Sequence, residues 1–260
     1  MSDNQQLLIA SSLSMQLRDI FHGFHPRYGI ELFRNCRPAF RLLIALLLID
    51  IAFVAIFVFY GVWFVFNDQP VKYPQIWSLS ADYSASEFFG YLNLLGAAWF
   101  LFATFKKMRH PLLMSWAIIF MILLADDALQ IHEFGGEWVA EFFTFDQLAG
   151  IAVHHIGELL VWLALGMMSL MVLLYGVFES KGDELRYNGF FFFVVLGLVF
   201  CGVGIDLVSS FDYFQNTEEG GALANILYGF FLIAEDGGEL VFMSVGCAGA
   251  YAVWKSAKHA

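Results

Sequence analysis

Charge is scarce in this chain, and positive charge is scarcer still. Only 14% of the 260 residues are charged, with 13 Lys and Arg set against 24 Asp and Glu. There is no basic patch, so nucleic acid is excluded as a partner. The formal net charge of −11 is not a partner signal either, because much of it comes from acids embedded in apolar sequence. Cysteine is nearly absent: Cys36, Cys201 and Cys247, two of them inside apolar runs, offer no disulfide framework. The alternating pattern of a β-barrel strand is missing, so helices must satisfy the backbone in an apolar medium. No G-x-G-x-x-G, P-loop, G-x-S-x-G or C-x-x-C-H motif occurs, which argues against nucleotide, serine-hydrolase and c-type haem chemistry. The H-E-x-x-H pattern of zinc proteases and the repeated E-x-x-H of soluble di-iron bundles are absent too. The first ten residues lack the basic region of a secretory signal. The first apolar run is expected to stay as an anchor.

What is present is apolar length. The chain is 60% hydrophobic and 18% aromatic, the composition of a polytopic membrane protein rather than a soluble globule. Runs of about 20 residues or more recur, each long enough to cross the hydrocarbon layer. They predict an all-α transmembrane bundle of about six spans, at 39–66, 86–105, 111–131, 149–178, 189–211 and 225–254. Residues 1–38 form a cytoplasmic lead-in, 39–254 one integral domain, and 255–260 a tail. In this arrangement twelve of the 13 basic residues fall on one side. Arg18, Arg27, Arg34, Arg37 and Arg41 precede or open the first span, and Lys106, Lys107 and Arg109 join the second to the third. Lys181 and Arg186 join the fourth to the fifth, Lys255 and Lys258 follow the sixth, and only Lys72 lies opposite. Positive charge stays in the cytoplasm, so both termini are expected there, with loops 67–85, 132–148 and 212–224 outside. The 132–148 loop mixes Trp and Phe with acids and suits a short interfacial helix.

Four of these apolar segments carry residues that lipid does not tolerate: Asp126, Asp127, His132 and Glu133; His154, His155 and Glu158; Asp206; and Glu235, Asp236 and Glu239. Eight carboxylates at mid-bilayer would cost about 20 kcal/mol without compensation. No Lys or Arg lies among them. Cations, protons or a water-filled cavity must therefore offset the charge. Counting from the cytoplasmic ends puts the acids about 22–30 Å along their spans, in the outer half of the membrane.

Helical spacing groups them further. Asp126, Gln130, Glu133 and Glu137 share one face, flanked by Asp127 and His132, which lie about 140° apart on a straight helix. Those two reach one ion only if the helix unwinds, and Gly135-Gly136 is the expected place. His154 and His155 stand i, i+4 and i, i+3 from Glu158, and Glu235 and Asp236 stand likewise to Glu239. Carboxylate and imidazole groups on several helices of a bundle are how metal sites are built. Mixed oxygen and nitrogen donors suit Fe, Mn, Zn or Cu better than Mg or Ca. The plainer reading is that protonated acids hydrogen-bond across helices and hold the bundle. Asp50, Glu87 and Asn93 line the same cavity or serve helix contacts, with nothing in the sequence to choose between the two.

The combination Asp126-Asp127…His132-Glu133, Gly157-Glu158, Asp206 and Glu235-Asp236-Gly237-Gly238-Glu239-Leu240 resembles an uncharacterised group of bacterial polytopic membrane proteins. Its members share D-[DE]-x4-H-E, a G-E pair, a later intramembrane Asp and E-D-G-G-E-[LM], over about residues 110–245. The resemblance implies a site at these residues and a bacterial inner-membrane location; it implies no reaction. The expectation is an integral membrane protein with an outer-leaflet carboxylate and histidine site for a divalent transition metal. Such a site fits a metalloenzyme acting on a lipid or other apolar substrate. The alternatives are a cation or proton-coupled transporter, or a structural subunit of a membrane complex.

Overall fold

The computed structural model describes residues 27–67, 74–148, 151–180, 187–209, 227 and 229–258. The expected outer loop at 212–224, the lead-in before residue 27, and Lys72, Lys181 and Arg186 lie outside the described residues. The elements run in the order α1 (Arg27–Asn35), α2 (Arg37–Asn67), a 3-10 turn (Gln75–Trp77), α3 (Ala85–Met108), α4 (Pro111–Leu129) and α5 (Ile131–Ala140). A two-stranded antiparallel ribbon of β1 (Gln147–Leu148) and β2 (Ile151–Ala152) leads into α6 (Val153–Glu179). α7 (Asn188–Ser209) follows, then α8 (Gly238–Lys258).

The helix ends follow local chemistry. Ser84 caps α3 by accepting the Glu87 amide at 3.3 Å, and Arg109 closes that helix in the left-handed region at φ 59°. Pro111 opens α4 at the first helical position, where its missing N–H is not needed.

Five helices among the described residues are long and apolar enough to cross a membrane: Arg37–Val62, Ala85–Met108, Pro111–Leu129, Val153–Glu179 and Asn188–Ser209. Their outward faces are apolar, with Leu48, Ile51 and Phe59 on α2 and Leu163, Met167 and Met171 on α6 all exposed. α8 is not one of the five. It has Glu239 in its first turn and a run of small residues, Gly246 to Ala250, all buried. The packing explains that composition: α8 lies against α3, α2 and α7, so it faces protein rather than lipid. Small side chains let neighbouring helices come close. A Cβ on Gly90 would lie 2.8 Å from the Met243 sulfur, and one on Gly96 2.9 Å from the Cys247 sulfur.

The apolar core centres on Trp116 and Phe120 of α4 and Phe191 of α7, each at most 1% exposed. Their rings meet at 5.8 and 6.0 Å between centroids. The buried Trp116 indole donates to the Asn188 side-chain carbonyl at 3.2 Å, so no donor is left unpaired.

Candidate functional site

The site begins with a break in the chain. α4 ends at Leu129, Gln130 adopts φ 49° and ψ 44°, and α5 starts at once in a new direction. The helix thus turns at Gln130, not at Gly135-Gly136 as its composition suggests. This corner folds His132 back over Asp126. The His132 amide donates to one carboxylate oxygen of Asp126 at 3.0 Å, and Nδ1 lies 3.0 Å from the other. Asp126 is 1% exposed and sits at the N-terminus of α5, where an anion is favoured. Behind it the His132 ring packs on Trp162, with centroids 5.2 Å apart. Asp127 and His132, on divergent faces of a straight helix, now line the same cavity. Glu137, expected on the same stripe, is exposed and does not line it.

Gly135-Gly136 has a different role. A Cβ on Gly157 of α6 would collide with the Gly136 carbonyl oxygen and lie 2.8 Å from its carbon. The two helices therefore touch backbone to backbone at this pair. That contact fixes the rotation of α6. It turns His155 and Glu158 inward, with His155 Nδ1 2.9 Å from Glu158 Oε2. It turns His154 outward, where it is exposed and stacks on the His155 ring at 4.0 Å between centroids.

The opposite wall comes from two irregular segments. α7 passes through a π-helical stretch, Phe200–Ile205, immediately before Asp206, and a second π stretch, Ile233–Gly237, carries Glu235 and Asp236 into α8. The two stretches pack on each other. A π turn inserts a residue and rotates the register, a device found often at functional sites. Here it brings Asp206, Glu235, Asp236 and Glu239 to one cavity. Gly202 gives Glu239 its room: a Cβ there would overlap the carboxylate oxygen.

The resulting cavity has a volume of about 310 Å³. Ten carboxylates line it: Asp82, Glu87, Asp126, Asp127, Glu133, Glu158, Asp206, Glu235, Asp236 and Glu239. Among the described residues they are joined by His132 and His155, and by no Lys or Arg. One ligand atom each from His155, Glu158 and Asp206 lie within 4.8 Å of one another, a spacing that could hold a metal ion. One oxygen of Asp236 is buried without a hydrogen-bond partner.

Outside the spans, His132 and Glu133 respond to this crowding. Burial pulls the His132 imidazole down, but the hydrogen bond to Asp126 and the nearby Glu133 and Glu158 outweigh it, and the net shift is upward from 6.5. Burial raises the Glu133 carboxyl, as do Asp82, Glu158 and Glu87, against the opposing pull of His132.

One wall residue, Asp82, escaped the sequence reading, and of the three left open there Glu87 lines the cavity. Asp82 lies in a loop, exposed at the cavity edge, with no pattern to mark it. Glu87 was legible, because Ser84-Ala85-Ser86-Glu87 is a capping box. Its carboxylate accepts from the Tyr83 amide and from the Tyr91 hydroxyl while also facing the cavity. Tyr91 reaches the Asp127 carbonyl at 3.3 Å as well. Asp50 and Asn93 do not line the cavity.

Among protein-family models, one described as "Domain of unknown function (DUF8692)" matches residues 42–253. No curated protein and no solved structure matches the chain.

Proposed function

This chain belongs to that family of unknown function, and from its site we propose an integral membrane metal-binding protein, with His155, Glu158 and Asp206 as the ligands. The observation that carries the reading is the convergence of those three side chains, within 4.8 Å, in a cavity walled by carboxylates without a balancing Lys or Arg. Glu235 stands close enough to interact with both Asp206 and His155 and would complete the set. Carboxylates with an imidazole suit Fe, Mn, Zn or Cu, in which nitrogen and oxygen donors mix. The remaining acids would hold water or protons around the ion. In the proposed topology α8 is the sixth span, both termini are cytoplasmic, and the cavity opens toward the outer leaflet of a bacterial inner membrane. Asp126, Asp127, His132, Glu133, Asp236 and Glu239 would then shape the cavity rather than ligate, and His154 would lie outside it.

A metal held there would supply Lewis acidity or an activated water. A neighbouring carboxylate within hydrogen-bond reach would act as general base. An apolar substrate, a lipid among them, would enter between helices. Metal analysis of the detergent-purified protein tests the reading. Near-stoichiometric transition metal is expected in wild type, with loss in Glu158→Gln and Asp206→Asn. Metal-poor wild type after growth in metal-rich medium, or metal unchanged in both variants, would overturn it. Metal-dependent cation uptake into proteoliposomes, without turnover of any lipid, would move the same site to the transporter class.

A further inference from the structure

Outside the cavity wall lies a further buried acid. Asp50, midway along α2, is 1% exposed, and neither of its carboxylate oxygens has a hydrogen-bond partner. Buried polar groups in folded proteins are almost always paired, and each exception requires an explanation.

The surroundings define what Asp50 can bind. α2 packs against α8, α1, the Gln75–Trp77 turn and the Ile233–Gly237 segment. The charged residues of those elements are Arg27, Glu31 and Arg34, Glu235 and Asp236, and Glu239, Lys255 and Lys258, and α2 itself carries Arg37 and Arg41. Among the described residues, the polar side chain that bears on Asp50 is Ser244 of α8, short of hydrogen-bond geometry. Ser244 accepts a hydrogen bond from Asn93 Nδ2 at 3.2 Å, which leaves its own hydroxyl hydrogen for Asp50. One carboxyl and one hydroxyl cannot replace the six or more oxygens that a hard metal cation needs. A carboxylate without a counter-charge in an apolar interior is neutralised instead. The ligand these atoms suit is a single proton.

The position gives that proton somewhere to go. Ser244 adjoins Met243, and Asn93 stands one turn from Gly90; Met243 and Gly90 both line the cavity. One turn up α2 from Asp50, Val54 packs on Gly237, beside Asp236 and its own unpartnered oxygen. Asp50 thus sits about 6 Å along the helix from the level of Gly237, whose neighbour Asp236 lines the cavity.

We propose that Asp50 is a proton-binding site separate from the acid cavity, loaded and unloaded at the Ser244 hydroxyl, whose oxygen takes up one proton as its O–H gives another to Asp50, with Asn93 holding that hydroxyl in place. Infrared spectroscopy of purified protein at neutral pH, in the C=O stretching region of protonated carboxyls, tests it. Wild type is expected to show a band that Asp50→Asn loses and that shifts on transfer to heavy water. In Ser244→Ala the band persists but its isotope shift is delayed. If Asp50→Asn does not fold, Asp50→Glu keeps the acid, and the band must move in that variant. No intensity lost in Asp50→Asn, an unmoved band in Asp50→Glu, or equal exchange in Ser244→Ala and wild type overturns the proposal. Disappearance of the band on adding sodium at constant pH overturns it as well, in favour of a monovalent-cation site.

Discussion

Replacing Gly157 with Ala should damage the site without touching a single polar side chain. The new methyl would point at the Gly136 backbone, overlapping its carbonyl oxygen and lying 2.8 Å from its carbon, where ordinary contact begins at 3.4 Å. Both partners are main chain, so no side chain can rotate away, and α5 and α6 must separate by more than the roughly 0.6 Å that the carbon contact alone needs, because the oxygen is nearer still. Overpacking of this kind costs about 1–3 kcal/mol, or about 2–12 °C in melting temperature for a chain of this size. Gly157 lies between His155 and Glu158, so the displacement falls on two of the proposed ligands. Gly166, on the same helix, is the control, because a Cβ there meets nothing within 4 Å. Gly166→Ala should be neutral, or stabilising by about 0.5–1 kcal/mol through helix propensity. Thermal unfolding in detergent and metal content of both variants decide the matter. Equal melting temperatures for the two, or full metal occupancy in Gly157→Ala, would refute the close-contact account.

Stability should also fall as pH rises. The folded His132 holds its proton above the ordinary 6.5, so its contribution is complete below 6.5 and is lost as pH climbs through the folded value. Glu133, likewise raised, loses its contribution from 4.5 upward. Melting temperature against pH should therefore decline in both windows, and His132→Gln should remove the His132 part of the upper decline while extending the Glu133 decline upward, since His132 holds that carboxyl down; a rise across neutrality would contradict this. For topology, Ser80→Cys and Gln147→Cys, both exposed, should react with an impermeant thiol reagent from outside, and Lys106→Cys only after permeabilisation. The reverse pattern would invert the proposed orientation.

How much of this was legible depended on whether a feature is set locally. The apolar runs predicted at 86–105, 111–131 and 189–211 correspond to helices Ala85–Met108, Pro111–Leu129 and Asn188–Ser209, because length and apolarity alone make such a helix. The sixth run, 225–254, is described as helix from 229 onward, yet α8 is made of small residues that suit its neighbours rather than lipid. The corner at Gln130 was not legible. Glycine is the residue expected at positive φ, and the adjacent Gly135-Gly136 pair drew the prediction there. The corner is held instead by a contact formed only after folding, the Asp126 carboxylate on the His132 amide. His154 and His155 carried the same signal in sequence. They were separated by the rotation of α6, which the remote Gly136 sets. The two π stretches left no mark, since the sequence of a π turn looks like that of any helix.

The position of α8 has a consequence for how the protein is made. It follows every other described element in the chain, yet it lies among α2, α3 and α7 and brings Glu239 to a cavity whose other walls come from earlier segments. In the proposed topology, with helices inserted in chain order, the earlier ones would form a bundle with a vacant slot beside their own acidic residues. Until α8 arrives, the cavity lacks the wall that Glu239, Leu240 and Met243 supply. The partly built bundle must then be hydrated, protonated or escorted. The last helix completes the protein and ends the period in which its own charges threaten its place in the bilayer.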